Sequence, residues 1–136
     1  MHISIGRYGR DSDPEGWERK IKVKINQFDT WNMDSTLALI IHPMLIQLKE
    51  TAHGFPGEFA EVGHGGNGGG WDAWVIVLDH MIWAFNEIIQ DDYTSKFYNE
   101  RIGPDDNDWM NKTLEHERKI QEGINLFAQF YRSLWD

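Results

Sequence analysis

Residues Trp71 to Ile89 read WDAWVIVLDHMIWAFNEII, and they constrain the fold more than any other stretch of the chain. Trp74, Val77, Leu78, Met81, Phe85 and Ile88 recur at the 3.6-residue spacing of one helix face. Val75, Ile76, Ile82 and Ile89 add apolar surface elsewhere on the same helix. A helix that is apolar nearly all round belongs at the centre of a fold, because every face needs cover. No apolar run in the chain reaches the roughly 18 residues that span a bilayer. The cover must therefore come from other parts of the chain.

Two segments have the pattern to supply it. DTWNMDSTLALIIHPMLIQLKETAHG offers Asn32 or Asp34 as an N-cap and places Leu37, Ile40, Ile41, Met44, Leu45 and Leu48 at helical spacing. Gly54 supplies a stop. Pro43 lies inside the pattern, so a kink is expected about one turn earlier, with a freed carbonyl near Leu39. The last segment begins with acidic residues, which suit a helix N-terminus. Its stripe runs through Met110, Leu114, Glu117, Ile120, Ile124, Phe127, Tyr131 and Leu134, with Glu117 as the polar exception. Gly123 costs roughly 1 kcal/mol in a helix interior and is explained by a close helix approach or by simple tolerance. A short helix is expected at Ser95–Arg101, before the Gly103-Pro104 break.

The N-terminus has the other period. HISIGRY and KIKVKIN alternate apolar and polar residues, which reads as two strands with one buried face, joined by the turn-rich GRDSDPEG. The expected fold is α+β and mostly helical, an N-terminal β-hairpin packed on a bundle of three main helices near Asp34–Thr51, Trp71–Ile89 and Asp108–Leu134. One domain over 1–136 is expected. It comprises a hairpin at 1–28 and a helical part at 32–136, with a Gly-rich loop at 54–70.

The stretches FDTWNMDSTLALIIHPMLIQLKETAHG, VLDHMIWAF and RKIQEGINLFAQFYRSLWD resemble an uncharacterised family of small phage-encoded proteins common in viral metagenomes. The resemblance is carried by DTW-x-MD-x-TLA, HG, VLD-x-MI-x-AF and LWD. It implies a viral origin and a place in the host cytoplasm. It brings no established activity, so no residue role is carried over. The chain departs from the family where relatives often carry acidic residues, at His80 and Asn86, which leaves Asp79 and Glu87 as the carboxylates of that helix.

Charge and chemistry narrow the function. The formal charge is −9, with 22 Asp and Glu against 13 Lys and Arg. That argues against generic binding to phosphate backbones, which needs clustered cations. There are no cysteines, so thiolate metal sites and cysteine nucleophiles are excluded. Met1 to Gly9 shows only a brief alternating pattern, unlike a signal peptide. GHGGNG at Gly63–Gly68 matches the dinucleotide-binding spacing. However, EFAEV is a poor preceding strand, and no parallel strand follows the helix. A flexible joint is the expected role, with anion binding at the start of the Trp71 helix as a weaker alternative.

The histidines show no metal-ligand spacing, although a His42/His80/Glu87 site between two helices is conceivable. Asp79 lies on an apolar helix and needs a partner, with Arg118, Lys112 and Arg132 as candidates. The seven Trp are the best clue to binding. At least two are expected to line an interface or pocket. The leading expectation is a non-catalytic phage accessory protein with no cofactor, engaging a host protein or a small signalling nucleotide, with counter-defence as one such role. A nucleotide base would stack on Trp31, Trp71 or Trp74, and its phosphates would meet Arg101, Lys112 or Arg118. The alternatives are a metal-assisted hydrolase using Asp79, Glu87 and His80, and a virion-associated structural protein. A homo-oligomer, most simply a two-fold dimer with contacts at Leu134-Trp135, is expected, with no membrane partner.

Overall fold

A computed structural model describes residues 1–10, 16, 18–60 and 69–135. The chain is α+β and mostly helical, about two-thirds helix over the described residues. It divides into two compact units, Met1–Thr36 and Leu37–Asp136.

The first unit is built on two antiparallel strands, β1 (His2–Ile5) and β2 (Ile21–Lys24). The register sets Ile3 opposite Val23 and Ile5 opposite Ile21, while His2 faces Lys24 and Ser4 faces Lys22. The alternating pattern thus sorts aliphatic and polar residues onto opposite faces. The Gly6 N–H extends the ladder to the Lys20 carbonyl at 2.9 Å. Burial does not follow the expectation. Every strand residue is exposed, Ile3 by 40% and Ile21 by 67%. Period-2 alternation specifies which residues share a face, but not how deeply that face is buried.

A single 3₁₀ turn, Gln27–Thr30, follows the hairpin. Asp29 closes it by accepting the Asn26 N–H on Oδ2 at 2.7 Å, and it also receives the Met1 amino group at 3.2 Å. That donor pair, the Asn26 amide first, holds the Asp29 carboxyl below the usual carboxylate range. Asp29 therefore caps this turn rather than the long helix that follows.

The second unit is helical. Among the described residues the long helices are α1 (Met33–Thr51), whose first turn belongs to the first unit, α2 (Gly69–Gln90) and α4 (Asp108–Phe130). The short α3 (Tyr93–Asn99) lies close to the expected Ser95–Arg101. A 3₁₀ turn, Tyr131–Ser133, replaces the last turn expected of α4. α1 runs as one helix through Pro43. α2 takes the central place, with Trp74, Leu78, Met81, Ala84 and Phe85 all buried. Gly70 lies in its first turn. A Cβ there would stand 2.6 Å from the Phe55 ring and 2.7 Å from the Phe59 carbonyl, so only glycine lets the 55–59 turn lie against α2. Gly63–Gly68, which carry the GHGGNG spacing, lie outside the described residues.

α2 and α4 form the tightest helix pair in the unit. Gly123 makes this possible, because a Cβ at that position would fall on Ala84 Cβ and stand 3.1 Å from the His80 carbonyl. The buried stripe of α4 differs from the expected one. Thr113, Ile120, Gly123 and Phe130 are buried, whereas Met110 and Leu114 are exposed. The N-terminal half is rotated so that Thr113 and His116 face inward. Glu117 is then an ordinary exposed residue and no exception to the pattern.

Candidate functional site

α1 carries more apolar surface than the core takes up. Ala38 and Leu45 are buried, and Ile41 and Leu48 pack half-buried against the core. Leu37 and Met44, on the adjoining face, stay exposed, Met44 by 65%. Opposite them the end of α4 presents Phe127, whose ring stacks edge-on to Phe85 at 5.1 Å and to Tyr131 at 5.5 Å. Between these walls lies an open cleft of about 760 Å³, lined by Leu37, Ile41, Met44, Leu48, Phe127 and Tyr131 among others. Gln47 and Thr51 supply polar atoms at the rim, and the Thr51 hydroxyl is already donated to the Gln47 carbonyl at 2.9 Å. The cleft falls within the size range of ligand and peptide grooves, and its lining is apolar. Its lining offers shape and apolar contact, and no charged side chain is among the residues that line it.

A smaller cleft, about 460 Å³, is lined by His53, Phe55, Pro56, Trp74, Ser133 and Trp135. Trp74 and Trp135 are both among its lining residues. Trp74 forms its floor and is 2% exposed, with its ring packed between Phe59 at 5.9 Å and Phe130 at 5.3 Å. A base cannot stack on an indole whose faces the core already occupies. Trp71 is half-buried against the same core, and Trp31 lies exposed in the first unit.

The expected cations are spread along the helical unit and mostly engaged. Arg118 bridges Glu115 and Glu122, and these carboxylates, Glu115 first, hold its guanidinium charged far above any working pH. Lys112 stands 3.7 Å from Asp108 and lines a cleft with Asp105 and Asp106. Arg101 lies over the Tyr98 ring, 3.6 Å from its centroid, in a neighbouring cleft. Around Lys112 and Arg118 the immediate neighbours are carboxylates, which repel phosphate.

The three residues of the hydrolase alternative also separate. Asp79 pairs with Lys49 of α1 at 2.6 Å, a cation the sequence reading did not consider, in place of Arg118, Lys112 or Arg132. Glu87 accepts from His116 at 2.8 Å. His80 donates Nε2–H to the Lys119 carbonyl at 3.0 Å. Each side chain is turned toward its own partner, and among the described residues no three His, Asp or Glu side chains gather as a metal site would require.

The sequence reading missed one cluster. The His116 ring, its side chain 19% exposed, is enclosed by Tyr93 at 4.6 Å, Trp83 at 5.2 Å and Phe97 at 5.5 Å, with Glu87 at its edge. Burial, and then the charges of Glu117, Asp91 and Glu87, raise the Tyr93 hydroxyl above its usual range. The cluster clamps α3 onto α2 and α4. Its signal in the sequence was an aromatic pair, Tyr93 and Phe97, four residues apart on one face of a short helix.

Among the described residues, no helix is long and apolar enough to cross a membrane. No family model matches the chain, and neither a curated protein nor a solved structure matches it. Function is therefore argued from the site itself.

Proposed function

We propose that this protein is a non-catalytic binding module whose α1/α4 cleft holds an apolar segment of a partner polypeptide. The observation that carries this reading is the cleft itself: about 760 Å³ walled by Leu37, Ile41, Met44, Leu48, Phe127 and Tyr131. An amphipathic helix or an aliphatic strand suits such a groove, because its anchors can fill the space between two helices while its polar side faces water. The geometry favours a polypeptide over a nucleotide, since carboxylates surround Lys112 and Arg118 and the faces of Trp74 are covered. The segments that resemble phage-encoded proteins support a viral accessory role in the host cytoplasm, with a host protein as the partner.

The test compares capture by the unmodified protein and by Met44→Glu. Met44 is exposed, so the change leaves the core intact while placing a charge in the groove. A host protein held by the first and lost by the second supports the reading. Identical capture by both, or capture by neither, overturns it.

A further inference from the structure

The smaller cleft, lined by Phe55, Trp74 and Trp135 among others, shares no lining residue with the α1/α4 cleft. Local packing fixes its frame. Gly70 lets the 55–59 turn lie against α2, and Phe59 of that turn stacks on Phe130 at 5.5 Å. Trp74 is the floor, with both faces of its indole already covered by Phe59 and Phe130. The two remaining rings are open to a guest. Phe55 is 42% exposed and Trp135 75%, and among the described residues neither is paired with another aromatic ring. The volume, about 460 Å³, falls in the range of small-molecule sites.

The lining decides the chemistry of the guest. It holds no Lys or Arg, and His53 is its one basic side chain, so an anion finds little counter-charge. It holds no Asp or Glu either. A primary ammonium or a guanidinium is therefore poorly served, because its N–H groups need acceptors once they leave water. A quaternary ammonium has no N–H to satisfy, and the faces of Trp and Phe rings attract it directly. At longer range, residues 37–136 hold 16 Asp and Glu against 7 Lys and Arg, a field that draws in cations and turns away anions. We infer that this pocket binds a small soluble compound with a trimethylammonium head, held between the rings of Phe55 and Trp135. The Ser133 hydroxyl in the wall adds a polar atom for a hydroxyl group on the same compound. This inference is independent of the α1/α4 cleft, so neither reading falls with the other.

Two probes of one shape test it on the full chain: choline, and its neutral carbon analogue, in which a tert-butyl group replaces the trimethylammonium. The methyl signal of each reports binding through line broadening in a nuclear magnetic resonance titration. Choline is expected to bind about threefold tighter than the analogue or better, which is the low end of what a cation over an aromatic face contributes. Trp135 is exposed, so replacing it leaves the core intact. Trp135→Leu keeps apolar bulk without a ring and should abolish the preference for the cation, whereas Trp135→Tyr should keep it, both with unchanged circular dichroism. Equal binding of the two probes would reduce the pocket to an apolar hollow and overturn the inference. So would no binding of choline at all, or a preference that survives in Trp135→Leu. Pelleting of the protein with phosphatidylcholine vesicles would move the head group to a lipid surface and overturn the assignment to a soluble compound.

Discussion

At the residue scale the fold turns on a few positions where one atom decides the outcome. Replacing Gly123 by Ala should gain about 1 kcal/mol of helix propensity. The added Cβ would meet Ala84 Cβ and the His80 carbonyl, neither of which can swing aside. Overpacking of this kind costs about 1–3 kcal/mol, so the clash prevails and the denaturation midpoint should fall; a raised midpoint would show that α2 and α4 have room to part. Asp106 is a second such position. It accepts the N–H groups of Ile102 and Asp108, both at 3.0 Å, and these bonds, Ile102 first, hold its carboxyl below the usual range. Its folded pKa lies below its unfolded one. The stabilisation is therefore complete above the ordinary carboxylate value of ~3.9 and is lost as pH falls through the folded value. The amide resonances of Ile102 and Asp108 should shift together in that acid window and stay still in Asp106→Ala. The sequence left Gly123 as either a close approach of helices or a tolerated glycine, and the nearness of Ala84 and the His80 carbonyl decides for the first. Asp106 was not singled out, because several acids crowd the start of α4 and only geometry shows which one turns back onto the chain.

At the scale of elements, the long helices were legible because their apolar residues recur at 3.6 spacing over about three turns or more. Observed Met33–Thr51, Gly69–Gln90 and Asp108–Phe130 lie close to the expected bounds. The face of α4 was harder to read. Met110 and Leu114 looked like core, yet they are exposed, while Thr113 and His116 turn inward. Periodicity ranks residues by hydrophobicity, and it cannot see that a histidine ringed by Tyr93, Trp83 and Phe97 outcompetes a leucine for the inner position. Removing that plug with His116→Ala leaves Glu87 half-buried without its donor, at a cost of about 1–3 kcal/mol. The loss should concentrate in α3, so amide hydrogen exchange over Tyr93–Asn99 should speed up while α2 keeps its protection. Unchanged exchange in α3 would mean that its packing does not depend on His116. The cleft itself was hidden for a related reason. Leu37 and Met44 belong to the same apolar count as Leu45, and sequence alone does not say that the core runs out before α1 is fully covered.

At the scale of the whole molecule, charge is divided unevenly: the helical unit carries all of it, and the hairpin unit is neutral. Duplex DNA of random sequence should therefore show no shift at physiological salt, because the net charge is −9 and the dense basic patch ERKIKVK, at 18–24, is too short for the counterion release that backbone binding requires. A sub-micromolar, salt-sensitive shift would refute this. Composition made that exclusion legible, whereas the binding face was beyond it, since the tryptophans that drew notice are partly core and the cleft is walled by aliphatic residues and two other aromatics. The central claim is that shape, rather than exposure alone, makes the α1/α4 cleft the binding face. Ile102 is the natural control, because it is 98% exposed and lies outside that cleft. Placing a photo-crosslinking side chain at position 44 or at position 102 and irradiating the protein in host lysate compares the two directly. The account predicts discrete polypeptide adducts from position 44 and only diffuse background from position 102; equal yields from the two positions, or adducts confined to position 102, would contradict it.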